Sequence, residues 1–457
     1  MSGSFSEPYG NSCDSEEGWF KLPEGWRMHR TVLYRSYKDP KPSTSFAIYD
    51  MDNTLMITPS YFVEELKKGV QIQISKPLIP NDFVLFAPNV KEKLHYELNQ
   101  GRGILIISNQ RGMLENIPSA YLILERIELL LRELDVPLYI LLATDHDIYR
   151  KPAPGMLLFF ERNLNGGLPV DRDNSFFVGD AAGRRLDYKS SSLMMRNILS
   201  VLKSTDYSTR RYYNVDENGT IVYINPYEII KRLTISKMKN RFSKDFSDCD
   251  FKFAINNSLT FLTPDEYFYG VPEYNIKLDF DPLLVGSKPF FPVVLSGLII
   301  LIGNLASGKT HISRIFRNFT PMSQSDYETT FHFMETLRKK LIKRENVVID
   351  DINNVVSNRI QLVQLASSLG VLVTFVHLDL SQNLVNHLNK VKRLCCDENT
   401  REYFQVPQVK GTFHSKRQLT KLVVERPSLE EGPNIIYTIN DISFPMEHNE
   451  LTQLHLP

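Results

Sequence analysis

The chain has 457 residues, 53 Lys and Arg against 53 Asp and Glu, and 42% apolar residues. That apolar content excludes wholesale disorder, a net charge of zero excludes a global basic field that would gather nucleic acid, and four cysteines without C-x-x-C spacing exclude a disulfide scaffold or a zinc ribbon. The longest apolar run, 293–303, is shorter than the ~20 residues of a membrane span, and no signal layout opens the chain. A soluble intracellular protein with no membrane partner is expected.

Residues 1–25 are acidic and small and predict a disordered tail. From Trp26 the pattern becomes globular. Apolar runs at Phe46–Tyr49, 104–107, 138–142 and 175–178 predict strands, with helices over 90–100 and 119–134 between them. Strands alternating with helices predict a doubly wound parallel sheet, in a first domain spanning 26–285. Residues 186–244 break this rhythm with 11 Lys and Arg against 5 Asp and Glu, and read as a basic insertion at the domain edge. That charge suits either a nucleic-acid backbone or a plain solvated face. A Pro-rich joint then leads to runs at 298–302, Val347–Ile349, 371–377 and Ile435–Ile439, which predict a second parallel α/β domain over 286–457.

Each strand of the first series ends in a chemically usable residue: Asp50-Met-Asp52-Asn53-Thr54, then Ser108-Asn109, then Lys151-Pro152, then Gly179-Asp180. Ligands of open α/β sheets bind beyond the carboxyl ends of the strands, so these groups are expected to converge. Asp50 has the chemistry to attack phosphorus, and Asp52 to protonate the leaving oxygen and later take a proton from water. Ser108 and Asn109 would hold phosphate oxygens, Lys151 would neutralise them, and Asp180 would help hold Mg²⁺.

In the second series, the run 298–302 leads into Gly303-Asn-Leu-Ala-Ser-Gly308-Lys309-Thr310, which fits G-x-x-x-x-G-K-[ST] ahead of an expected helix. Backbone amides would cradle the phosphates of ATP, Lys309 would reach the outer ones, and Thr310 would hold Mg²⁺. Asp350 closes another apolar run and suits a place beside that Mg²⁺ or a helix cap. Asp326 suits a base for an attacking hydroxyl or a helix N-cap.

These motifs together resemble the bifunctional polynucleotide phosphatase/kinase family, in which a haloacid-dehalogenase-like 3′-phosphatase precedes a P-loop 5′-kinase. The resemblance runs from about residue 26 to about 422. It includes Ala143-Thr144, Tyr149-Arg-Lys151-Pro, Phe177 to Arg184, Lys244-Asp-Phe-Ser247 with Asp250, Thr263 to Phe268, and Phe280-Asp-Pro282. It implies Asp50 as nucleophile, Asp52 as general acid/base, and metal held by Asp180 with Asp50 and the Asp52 backbone beside it. On the kinase side it implies Lys309 and Thr310 at ATP and Mg²⁺, and Asp326 as the base for the 5′-hydroxyl. Asn53 and Ser108 replace the family's Gly and Thr. The arginines that grip the transferring phosphate align with Lys390 and Lys392, with Arg393 displaced, and lysine lacks the planar fork of arginine.

The resemblance further implies DNA ends as substrates, with RNA ends open, a ligase or other repair protein acting downstream, nuclear location and a monomer. The family's forkhead-associated domain is expected to be missing. The leading expectation is a two-activity end-repair enzyme. The alternative keeps the 3′-phosphatase and treats the P-loop domain as a weak kinase or a binding platform.

Overall fold

The computed structural model describes residues 21–62, 79–111, 113, 117–185, 188–215, 220–234, 245–272, 274–278, 280–285, 291–404, 418–419, 422–441 and 453–456. Most of the tail expected at 1–25 lies outside them, as do Lys237, Lys239 and Arg241 of the basic insertion.

The first sheet is built from β1 (Arg27–His29), β2 (Val32–Tyr37), β3 (Phe46–Tyr49), β4 (Gly103–Asn109), β5 (Leu138–Ala143), β6 (Phe176–Val178) and β7 (Thr260–Leu262). Their order is β1-β2-β5-β4-β3-β6-β7. The five from β5 to β7 are parallel, while β1 and β2 join antiparallel at one edge. β3 and β5 are buried along their whole length, as strands covered on both faces must be. Apolar clusters fill both sides of the sheet: Tyr49, Ile104 and Ile106 face one, while Ile48, Leu105 and Ile107 face the other. The order changes direction at β3, which puts the end of β3 at the centre of the carboxyl edge.

The described part of the 186–244 stretch is a helix (Tyr188–Ser204), a hairpin (Tyr212–Val215 with Ile221–Ile224) and a short helix (Pro226–Lys231). It is more than an edge decoration. Met195, Ile198, Leu202, Tyr207, Tyr212 and Ile230 are buried in the same cluster as one face of the first sheet, and the Tyr212 hydroxyl donates to buried Asp82 at 2.8 Å.

The second sheet contains β8 (Leu298–Gly303), β9 (Thr320–Met322), β10 (Val347–Ile349), β11 (Val373–Leu378) and β12 (Ile435–Ile439). All five are parallel, in the order β9-β10-β8-β11-β12. β8, at its centre, is fully buried. The fold is therefore a doubly wound, mostly parallel α/β sheet followed by an all-parallel α/β sheet whose central strand leads into the 303–310 loop.

The two halves touch along a polar seam. Arg30 donates to Asn399 at 2.7 Å and pairs with Glu402, and Asn399 donates to Asp147 at 3.1 Å. Nearby, Asn256 exchanges hydrogen bonds with the backbone of His455 at 2.8 and 2.9 Å. Leu456 packs with Val391 and Cys395.

Candidate active sites

Asp50 leaves β3 with its backbone still in the sheet, its N–H donating to Val178 O at 2.8 Å. Asp180 follows β6, and Asp250 comes from the Cys249–Asn256 helix. Oxygens of these three carboxylates lie within 4.8 Å of one another. Asp250 is held there by the Ala181 N–H, which donates to its Oδ2 at 3.1 Å. Gly179 makes the approach sterically feasible, since a Cβ on it would stand 2.6 Å from the Asp250 side chain.

Lys151 reaches this group from the loop after β5. Its Nζ lies 2.6 Å from Asp50 Oδ1 and 2.7 Å from Asp250 Oδ1, and its side chain is 1% exposed. Burial alone would push the ammonium down, but the Asp250 and Asp50 carboxylates outweigh it and hold Lys151 above the ordinary lysine range. Burial drives Asp50 the other way, up to about 7, with Lys151 opposing and Asp250 adding to the rise. Asp180 is raised well above the usual carboxylate range by burial and by repulsion from Asp250, Asp50 and Asp245. With all three ionised, the carboxylates outweigh the one ammonium, and their repulsion adds to the rise in Asp50 and Asp180. All three ligand sets are hard oxygens, and their mutual repulsion is what a divalent cation relieves, so the donor set fits Mg²⁺.

Asp52 has a different environment from Asp50. Its side chain is 36% exposed and its carboxylate is turned away from the triad, accepting from Gln110 Nε2 at 2.7 Å and pairing with buried Arg126 at 3.2 Å. The sequence reading placed the Asp52 backbone beside the metal; the third carboxylate of the triad is Asp250. Ser108 is buried, and its Oγ accepts from the same Gln110 amide at 3.0 Å. Both ends of the Asn109 side chain are spent on the Lys151 backbone, at 2.9 and 3.0 Å. Sequence reasoning thus missed Asp250, Gln110 and Arg126 as parts of the site.

Arg184 fastens the back of the site. It makes two contacts to Asp245, at 2.8 and 3.2 Å, lies 3.4 Å from Asp265, and donates to Asp180 O at 3.2 Å. Asp265 sits in a helix capped by Thr263 and Glu266 through a reciprocal capping box.

In the second half, Gly308 adopts φ 84° immediately before the helix Lys309–Ile315, a conformation that glycine takes without steric cost. Lys309 folds back on its own loop, with Nζ donating to Gly303 O at 3.1 Å, Asn304 O at 2.6 Å and Ser307 Oγ at 3.4 Å. Burial lowers its pKa to about 8, against the pull of Asp350 and Asp351. Asp350 accepts from Ser313 at 3.4 Å and from Thr310. The next helix starts after Val355, so Asp350 serves the P-loop rather than a helix cap. Asp326 lies exposed in the turn Gln324–Asp326. The cap of the following helix is Thr329, which accepts from His332 N at 3.1 Å, so the N-cap reading of Asp326 falls away.

Lys390, Lys392 and Arg393 share the helix Gln382–Cys396 but serve different neighbours. The charge of Lys392 acts on Lys309. That of Arg393 acts on His146 and Arg150 in the first half.

Residues 45–268 match the family Polynucleotide kinase 3 phosphatase. Over 426 residues the chain is 22% identical to the bifunctional polynucleotide phosphatase/kinase of Schizosaccharomyces pombe, covering 90% of this chain and 83% of that protein. It is 27% identical over 187 residues to the polynucleotide 3′-phosphatase ZDP of Arabidopsis thaliana, covering 38% of this chain and 25% of that one. A solved structure from Mesorhizobium loti described as HAD-like is 20% identical, covers 34% of this chain and 72% of that chain, and has a TM-score of 0.26; the fold rests on strand order instead. The chain is an enzyme similar over most of its length to a bifunctional polynucleotide phosphatase/kinase. Among the described residues no helix is long and apolar enough to cross a membrane.

Proposed function

We propose that the chain removes 3′-phosphates from nucleic-acid ends at Asp50 and adds 5′-phosphates from ATP at the P-loop, leaving ends that a ligase can join. The observation that carries the first half is the convergence of Asp50, Asp180, Asp250 and Lys151 beside a differently set Asp52. Asp50 attacks phosphorus, the bond to the 3′ oxygen breaks, and Asp52 supplies the proton that this oxygen takes. Asp52 then takes a proton from water as water attacks the aspartyl-phosphate, which frees Asp50 and inorganic phosphate. Lys151 neutralises the phosphate oxygens. Asp50, Asp180 and Asp250 would hold Mg²⁺, which when bound offsets charge on the phosphoryl group.

At the P-loop, Lys309 would exchange its loop carbonyls for the outer phosphates of ATP, with Thr310 and Asp350 at Mg²⁺. Asp326 would take the proton of the 5′-hydroxyl as its oxygen bonds the γ-phosphorus and ADP leaves. DNA ends are the proposed substrate, acted on by a monomer in the nucleus, and the domains divide near residue 285.

One observation favours a weaker kinase. The charge of Arg393 acts on His146 and Arg150, while the cation of this helix that acts on Lys309 is Lys392. An arginine at such a site is worth ~10³-fold or more in phosphoryl transfer.

A nicked duplex bearing a 3′-phosphate and a 5′-hydroxyl, with Mg²⁺ and ATP, tests both halves. Asp50→Asn is expected to abolish only 3′ clearance and Lys309→Ala only 5′ labelling. Wild type that clears the 3′ end and never labels the 5′ end would sink the kinase assignment.

A further inference from the structure

The charges of three arginines act together on His146, in the loop that leads to Lys151. Arg111 follows Gln110, which bonds Asp52, and Arg150 precedes Lys151, which bonds Asp50. His146 feels the charge of both. The third guanidinium, Arg393, comes from the other half of the chain. The helix that follows its own, Glu398–Phe404, meets the first half through Asn399, which contacts Asp147 at 3.1 Å and Arg30 at 2.7 Å.

This crowding of like charge has a measurable signature. Burial and the charges of Arg393, Arg150 and Arg111 lower His146 to about 4, with Asp145 opposing. Burial likewise lowers Arg150, which Arg111 and Arg393 depress further. The Nη1 atom of Arg150 is buried with no hydrogen-bond partner. A buried guanidinium N–H left unpaired is costly, and a nearby anion with several acceptor oxygens removes both that cost and the repulsion.

We propose that Arg393 joins Arg111, His146 and Arg150 in holding a backbone phosphate of the strand whose 3′ end enters the Asp50 site. The P-loop domain then supplies part of the phosphatase's own substrate surface. The inference rests on reading the Asp50 site as acting on nucleic-acid 3′ ends. It accounts for a seam that sets the Glu398–Phe404 helix of one domain against the 146–150 loop of the other.

The test compares wild type with Arg393→Ala, Arg393→Glu and Arg393→Lys on two substrates: a single-stranded oligonucleotide with a 3′-phosphate, and thymidine 3′-monophosphate, which has no second phosphate to hold. For the oligonucleotide, KM is expected to rise several-fold in Arg393→Ala and further in Arg393→Glu, with kcat kept and Arg393→Lys partly restored. The slope of log KM against log salt should fall by about 0.7, one single-strand phosphate contact. Thymidine 3′-monophosphate should be hydrolysed equally by all four proteins. A purely structural role would lower kcat on both substrates and leave the salt slope alone, which overturns the inference. So does an unchanged KM for the oligonucleotide, while leaving the phosphatase reading intact. Wild type that does not hydrolyse the oligonucleotide would remove that reading and this inference together.

Discussion

Asn109 grips the backbone of Lys151 from both sides: Oδ1 accepts from Lys151 N at 2.9 Å, and Nδ2 donates to Lys151 O at 3.0 Å. The end of β4 is thereby locked to the loop after β5, and the lysine side chain is aimed at Asp50 and Asp250. Asn109 touches no reacting atom in this arrangement; it positions one that does. Asn109→Ala is expected to reduce 3′-phosphatase kcat by up to about 10²-fold, the cost of misplacing a catalytic group by ~1 Å. Asn109→Asp keeps the acceptor and loses the donor, so it should fall between. Steady-state rates on a 3′-phosphorylated oligonucleotide decide this, and a kcat unchanged in Asn109→Ala would mean that the rest of the loop holds Lys151.

Gly179 governs the place of Asp250. A Cβ at residue 179 would stand 2.6 Å from Asp250 Cβ and Oδ2 and 2.7 Å from its Cγ, so Gly179→Ala must displace the carboxylate or the backbone. Displacing one ligand of the triad should weaken Mg²⁺ binding on the order of 10–100-fold, and Asp250→Asn should weaken it at least as much. Mg²⁺ titration by calorimetry, alongside the Mg²⁺ dependence of phosphatase rate, measures both. Wild-type affinity in Gly179→Ala would exclude Asp250 as a ligand.

The raised carboxylates make a pH prediction. Asp50 has a folded pKa of about 7 against an ordinary 3.8. Its stabilising contribution is whole below the ordinary value and is lost as pH rises through about 7. Asp180 shifts in the same direction. The metal-free site therefore destabilises the protein as pH rises, and a bound cation, which needs ionised carboxylates, offsets that loss. Mg²⁺ should raise the melting temperature more near pH 8 than near pH 6. Differential scanning fluorimetry with and without Mg²⁺ reads this directly, and equal increments at both pH values would count against the triad as the cation site.

What the sequence made legible was set by burial and locality. β3 and β8 are buried from end to end, so their apolar runs stand out. Asp50, Lys151 and Asp180 were legible because each follows such a run. β9 was missed because it is a three-residue edge strand containing Pro321, and β2 because only Val32 and Leu33 are fully buried. Asp250 was hidden for a different reason. It lies on a helix rather than at a strand end, and its role arises only when Ala181 N–H and Gly179 meet it across the fold. The Asn53 departure, by contrast, has a local explanation. Its φ is 57°, a left-handed conformation that glycine adopts freely and asparagine tolerates better than most residues.

A buried ion pair ties the P-loop sheet to the turn before its last strand. Arg359 donates to Glu431 from Nε at 2.7 Å and Nη2 at 2.8 Å, with side chains 0% and 4% exposed. The same guanidinium donates to Asn353 O at 2.9 Å, and Asn353 in turn donates to Leu301 O of β8 at 2.7 Å. Cutting Arg359 leaves Glu431 buried and unpaired, which costs about 3–5 kcal/mol, and it releases the segment behind the P-loop. Arg359→Ala should therefore lower stability by that amount in urea denaturation and depress 5′-kinase activity. The pair Arg359→Met with Glu431→Leu removes both charges, so most of the lost stability should return. It does not restore the hydrogen bond to Asn353, and kinase activity should stay low. Recovery of activity along with stability would show that the ion pair acts only on folding, with no separate hold on the P-loop.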